Sequence, residues 1–169
     1  MKTIVTRIII FILLIILPVS YATYERSVIW EDEITLWKDI AAKSSNKARG
    51  HDNLGIAYEK IGYVDDAIRE HRLAIKLNPH NPNFYNNLGI AYMDINLLGD
   101  AIKAYLTALN IEPYNFETRM NLGIAYRRKE LFDDAIREFK IALSIKPNNT
   151  EAIYNINFTY AEKEYIGGK

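Results

Sequence analysis

The chain has no cysteine, which removes disulfides, thiolate metal sites, a cysteine nucleophile and lipidation through cysteine together. Nor has it an excess of either charge. With 21 Lys and Arg against 21 Asp and Glu, no global field draws it to nucleic acid or to an anionic surface. Histidine is scarce, and the three present, His51, His71 and His80, share no zinc-ligand spacing, so they read as packed or solvated side chains. There is no glycine-rich phosphate loop and no Gly-x-Ser-x-Gly elbow. No metal, cofactor or catalytic residue is called for, and the expectation is a non-enzymatic protein. At 49% hydrophobic and 25% charged residues, disorder and low-complexity classes are excluded as well.

Long apolar runs are also few, and the one that exists sits at the start. Lys2 and Arg7 precede an unbroken Ile, Leu and Phe stretch from Ile8 to Leu17, which closes in Pro18-Val19-Ser20-Tyr21-Ala22. As a signal peptide it has a basic start, a short apolar core and small residues Ser20 and Ala22 in a cleavage-like arrangement. As a membrane helix it needs Ile4 to Ala22 with Arg7 included, because a span requires roughly 20 mostly apolar residues. Both readings give one topology. Basic residues precede the run while Glu25, Glu31, Asp32 and Glu33 follow it, and positive charge stays inside. The rest of the chain is therefore expected outside the cytoplasm, tethered through residues 1–23 or released by their cleavage.

The remainder is a repeat. Asn-Leu-Gly-Ile-Ala-Tyr occurs at 53–58, 87–92 and 121–126, each copy 34 residues after the last. The same offset joins Ala67, Ala101 and Ala135, then Ala74, Ala108 and Ala142, then Pro79, Pro113 and Pro147. Within each unit the spacing predicts a first helix (48–61, 82–95, 116–129) and a second (65–77, 99–111, 133–145). Glycine costs a helix interior about 1 kcal/mol against alanine, so Gly55, Gly89 and Gly123 make sense only where a partner helix comes close. Asp65-Asp66, Asp100 and Asp133-Asp134 suit the positive ends of the second helices, which explains the acid pairs without general acid and base work. Arg127-Arg128-Lys129 reads as a solvated helix end.

A 34-residue period with this order of Leu-Gly, Tyr, Ala, aromatic and Pro resembles the tetratricopeptide repeat. The likeness covers residues 48–149 as three repeats (48–81, 82–115, 116–149) and implies an all-α, right-handed α-solenoid of helix-turn-helix units with capping helices. Residues 24–47 supply a leading helix and linker, with Trp30, Ile34, Trp37 and Ile40 at helical spacing and Asp32 as its cap. Trp37 stands where later repeats carry His71, Tyr105 and Phe139, as in a lone second-type helix. Residues 150–169 continue the first-helix register through Ile153, Ile156 and Tyr160, but Asn157 replaces the glycine, as a terminal cap would. A narrower likeness lies in Trp30-Glu31-Asp32-Glu33, Leu36-Trp37-Lys38-Asp39 and Asn53-Leu54-Gly55. It is similar to the junction before the repeats in multi-pass transmembrane-and-tetratricopeptide proteins of glycosyltransferase type. That implies an alternative function, an accessory or detached repeat domain of a membrane glycosyltransferase system.

The repeat resemblance also implies a concave surface lined by the first helices. Its sixth position is Asn53, Asn87, Asn121 and Asn155; its ninth is Ile56, Ile90, Ile124 and Phe158. Met93 and Arg127 stand at a further lining position, which Glu59 shares. The amides either bridge groups within the superhelix or pair with the main chain of an extended ligand. With Asp52 and Glu117 where a carboxylate clamp would need Lys or Arg, recognition through a terminal carboxylate is disfavoured. The expected function is a scaffold that holds a protein or peptide partner in this groove, without nucleic acid or metal.

Overall fold

The computed structural model describes residues 33–43 and 47–167. The apolar segment 1–23, Trp30 and Asp32 lie outside the described residues. No helix among those described is long and apolar enough to cross a membrane.

Among the described residues eight helices follow one another: α1 (33–43), α2 (Ala48–Lys60), α3 (Val64–Leu77), α4 (Pro82–Asp94), α5 (Leu98–Ile111), α6 (Phe116–Arg128), α7 (Phe132–Ile145) and α8 (Thr150–Gly167). The helix limits agree with the sequence expectation to within one residue through the three repeats. Their physical cause is local. Asn78, Glu112 and Lys146 each precede a proline, whose ring drives them to extended ψ values of 87°, 86° and 84°, and the second helices stop there. Asn81, Asn115 and Asn149 then cap the next helix by accepting N–H bonds from Asn83, Thr118 and Ala152. Between the two helices of a repeat, Gly62, Asn96 and Glu130 take φ of 83°, 60° and 61°. The following residue returns its N–H to a tyrosine carbonyl five residues back, at 2.9 Å in every repeat (Tyr63 to Tyr58, Leu97 to Tyr92, Leu131 to Tyr126).

Each glycine of the repeated hexapeptide lies under the ring of its second helix. A Cβ added to Gly55, Gly89 or Gly123 would come within 2.6, 2.4 or 2.5 Å of His71, Tyr105 or Phe139. The missing side chains thus set the distance between the two helices of a repeat. Ala67, Ala74, Ala101, Ala135 and Ala142 have no exposed surface, so small residues also close the rest of that seam.

Successive helices pack pairwise from α2 to α8, and the first helices also touch across repeats, α2 with α4 and α4 with α6. No contact of comparable extent joins α3 to α5 or α5 to α7, so the first helices lie on the inside of the curve. This is the all-α solenoid expected from the sequence. At the leading end, Ile34, Ala41 and Trp37 of α1 pack with Leu54, Ala57 and Tyr58 of α2, as a second-type helix before a first repeat should.

The concave face as a candidate binding surface

The groove starts from the register of the first helices. Ile56, Ile90 and Ile124 are half-buried, the latter two resting on the central core, and they stand at one register of three successive first helices on the inner face. At its far end the strip becomes aromatic. Phe158 stacks on Tyr154 with ring centres 5.8 Å apart, both rings are exposed, and the Arg127 guanidinium sits 4.9 Å from the Phe158 centre. Arg127 also lies 3.8 Å from Glu162, which fixes its charge beside the ring.

The asparagines do not stand free beside this strip. Asn87 donates to both carboxylate oxygens of Asp52 at 3.2 and 3.1 Å. Asn121 donates to Oδ1 of Asn86 at 3.0 Å, again in the preceding first helix. Asn155 is buried and donates to the carbonyl of Glu151, one turn back in its own helix. Asn53 is half-buried at the first-repeat end. Three of the four amides therefore spend donors inside the superhelix, and two of those amides join consecutive repeats.

Two further expectations take a different form in the structure. Met93 is buried in the core of the middle repeat, in one cluster with Leu122 and Ala125 of α6. The basic triplet is more than a solvated end: Arg128 donates to the Met93 carbonyl at 3.0 Å and to Asn96 at 2.9 Å. It caps the end of α4 from the next repeat, while Arg127 covers Phe158.

The sequence reading missed a buried charged line under the first repeat. His71, with no exposed surface, has Nδ1 at 2.8 Å from Asp52 and Nε2 at 3.6 Å from Glu59. Burial pulls the imidazole pKa down, yet the two flanking carboxylates more than offset this and hold it at about 9. An imidazolium between two carboxylates, with Asn87 on Asp52, ties α2, α3 and α4 together. His71 is enclosed, so no reacting group can approach it, and the line serves structure. Burial, with Asp94 and Glu59 nearby, likewise pushes the Tyr105 phenol well up. A related pair recurs at the outer edge of two repeats, His51 with Glu70 at 2.8 Å and Arg119 with Glu138 at 2.5 Å. His80 is exposed.

Comparison with known proteins agrees with this architecture. A family model described as TPR repeat matches residues 62–96, and one described as tetratricopeptide repeat matches 82–115 and 116–149. Together they span just over half of the chain and begin after the junction-like segment, which rests on its own residues alone. Comparison with curated proteins gives no match. Among solved structures, a crystal structure of MamA is similar at 25% identity and a TM-score of 0.74, over 83% of this chain and 82% of that one. The first TPR of Spaghetti (RPAP3), bound to the HSP90 peptide SRMEEVD, is similar at 22% identity and a TM-score of 0.67, over 69% of this chain and 92% of that one. YrrB, described as a TPR protein with an unusual peptide-binding site, is similar at 20% identity and a TM-score of 0.68, over 86% of this chain and 75% of that one. Period, glycine-to-ring packing, family models and fold converge, and the chain belongs to the tetratricopeptide-repeat family.

Proposed function

We propose that the protein is a non-enzymatic interaction scaffold that holds an extended segment of a partner protein along its concave face. The observation that carries this is the strip of Ile56, Ile90 and Ile124 running into the exposed Tyr154 and Phe158 stack. An apolar track with an aromatic end on the inside of a curved solenoid is a surface that solvent alone does not favour. Two proteins of the same fold, Spaghetti and YrrB, carry a bound peptide or a peptide-binding site by description, and that fold supports the reading. The partner is held by side-chain contact with the strip. The Asn87 and Asn121 amides act chiefly as bridges between repeats, because each donates to a side chain of the preceding first helix.

The partner is proposed to lie outside the cytoplasm, with the scaffold tethered by residues 1–23. That placement rests on Lys2 and Arg7 before the apolar run and the acidic residues after it.

The test uses the full-length chain with a photo-crosslinking residue at Ile124 or, on the outer surface, at the exposed Leu106. Partner adducts from position 124, lost when Ile90 is changed to Glu, are expected. Equal adducts from both positions, or none from 124, would remove the groove from consideration. Recovery of the full-length chain in the membrane fraction after an alkaline carbonate wash is expected, and a soluble chain lacking the first segment would exclude the tether.

A further inference from the structure

The repeat and the groove leave one short pattern unused. Asparagine, then a residue other than proline, then serine or threonine occurs twice in the chain, at Asn148-Asn149-Thr150 and Asn157-Phe158-Thr159. That order marks an asparagine as an acceptor of N-linked sugar in a chain outside the cytoplasm. A transferase acting on the folded protein must reach both the amide and the hydroxyl two residues on. The two sites differ on this point.

Asn148 lies in the turn between α7 and α8, exposed, with φ of 66°, a left-handed conformation that asparagine tolerates better than most residues. Thr150 opens α8 and is exposed as well. The earlier turns carry His80 and Tyr114 in place of Asn148, neither at positive φ, and Pro82 and Phe116 in place of Thr150. Both ends of the pattern therefore depart from the repeat at this one turn. Only the middle residue is engaged. Asn149 accepts the Ala152 N–H at 2.8 Å and gives its own N–H to the Lys146 carbonyl at 3.3 Å, which holds the turn. Among the described residues no hydrogen bond occupies the side chain of Asn148 or of Thr150.

The second site is closed. Asn157 is exposed in the middle of α8, but Thr159 has no exposed surface and donates to the Asn155 carbonyl at 2.6 Å. Reaching that hydroxyl requires α8 to unwind and leave α7, against which it packs. We infer that Asn148 carries an N-linked glycan and that Asn157 does not, an inference that rests on the placement outside the cytoplasm proposed above. The Asn148 amide nitrogen attacks the anomeric carbon of a sugar carried on a lipid diphosphate. The C–N bond forms as the bond to the diphosphate oxygen breaks, the lipid diphosphate leaves, and the amide proton passes to a base of the transferase, with nothing oxidised or reduced. The sugar stands at the start of α8, about 12 Å along the helix axis from Phe158, so the groove stays open.

The test maps the sugar on full-length protein purified from its native membranes, by mass spectrometry of peptides before and after peptide-N-glycosidase treatment. A glycan at Asn148 and an unmodified Asn157 are expected. The accompanying shift in gel mobility should be lost completely in Asn148→Gln and in Thr150→Ala, kept in Thr150→Ser, and unchanged in Asn157→Gln. An unmodified Asn148 overturns the inference, and so does sugar at Asn157, alone or beside Asn148, because the fold would then not select the site. Protease added to the cytoplasmic side of sealed membrane vesicles separates the two readings. Repeats that resist it while Asn148 is bare leave the placement standing and only the glycan refuted; repeats that are cleaved refute the placement as well.

Discussion

Removing the Asn87 amide tests what the asparagine register is for. Asp52 is buried and has two hydrogen-bond partners, the His71 imidazolium at 2.8 Å, which also balances its charge, and the Asn87 amide at 3.1 to 3.2 Å. Asn87→Ala leaves the carboxylate with one. Hydrogen bonds to a charged group contribute roughly 1.5–3 kcal/mol, which for a chain of this size lowers the melting temperature by about 3 to 12 °C. Asn121→Ala breaks a single amide-to-amide bond to the half-buried Asn86, with a cost of roughly 0.5–1.5 kcal/mol. Asn53→Ala should stay within about 0.5 kcal/mol of the parent. The order 87, then 121, then 53 is the content of the prediction, because a ligand-binding ladder predicts no order in the unliganded protein. Thermal melts of the three variants decide it, and Asn87→Ala made beside Asp52→Asn in a double-mutant cycle should show coupling of at least about 0.5 kcal/mol. Equal melts for all three, with partner crosslinking at Ile124 lost in each, would refute the structural reading and return the amides to the ligand.

Two other perturbations are equally specific. His71 has a folded pKa of about 9 against an ordinary value of 6.5, so its stabilisation is complete below about pH 6.5 and is lost as pH rises through about 9, a decline of up to about 3 kcal/mol; denaturant midpoints from pH 6 to 9.5 should show it, and His71→Gln should flatten the curve. Glu130 occupies the left-handed position that Gly62 fills in the first repeat, and a non-glycine residue there is strained by about 1–2 kcal/mol. Glu130→Gly should accordingly raise the stability by about 0.5–1 kcal/mol after the entropy of glycine is subtracted, read as a higher denaturant midpoint, and a lowered midpoint would show that the glutamate makes a compensating contact.

The fold was legible because its determinants are local or repeat exactly one unit away. Gly89 under Tyr105 and Gly123 under Phe139 lie 16 residues apart within one repeat, and the prolines stop helices through the residue directly before them. The groove was legible only as a register. Counting placed Ile56, Ile90 and Ile124 on one face, but it placed Met93 there too, and burial depends on how far the next repeat rotates over it. The amides show the same limit: Asn87 finds Asp52, Asn121 finds Asn86, and Asn155 finds a backbone carbonyl. Identical residues meet different partners because the neighbouring position varies. Arg128 looked like the end of a charge run, while its acceptors are 32 and 35 residues earlier on the preceding repeat.

The charged line of the first repeat shows what a joint reading of the variable positions would have found. His71 replaces the aromatic ring that Tyr105 and Phe139 supply, and it packs on glycine just as they do. An imidazole in a closed seam is costly unless its polar atoms are matched. Asp52 takes the Nδ1 hydrogen bond at 2.8 Å and Glu59 faces Nε2 as an ion-pair partner at 3.6 Å, at positions where the middle repeat carries Asn86 and Met93 and the third carries Met120 and Arg127. Acidic residues at both positions occur only in the repeat whose ring is a histidine. Each substitution alone looks like surface variation; together they describe one ion-paired unit that replaces an apolar contact. That unit also gives the first junction a dependence on pH that the Tyr105 and Phe139 junctions have no imidazole to produce. In a repeat protein the invariant positions build the solenoid, and the correlated departures from them mark where one unit has been made chemically different from the next.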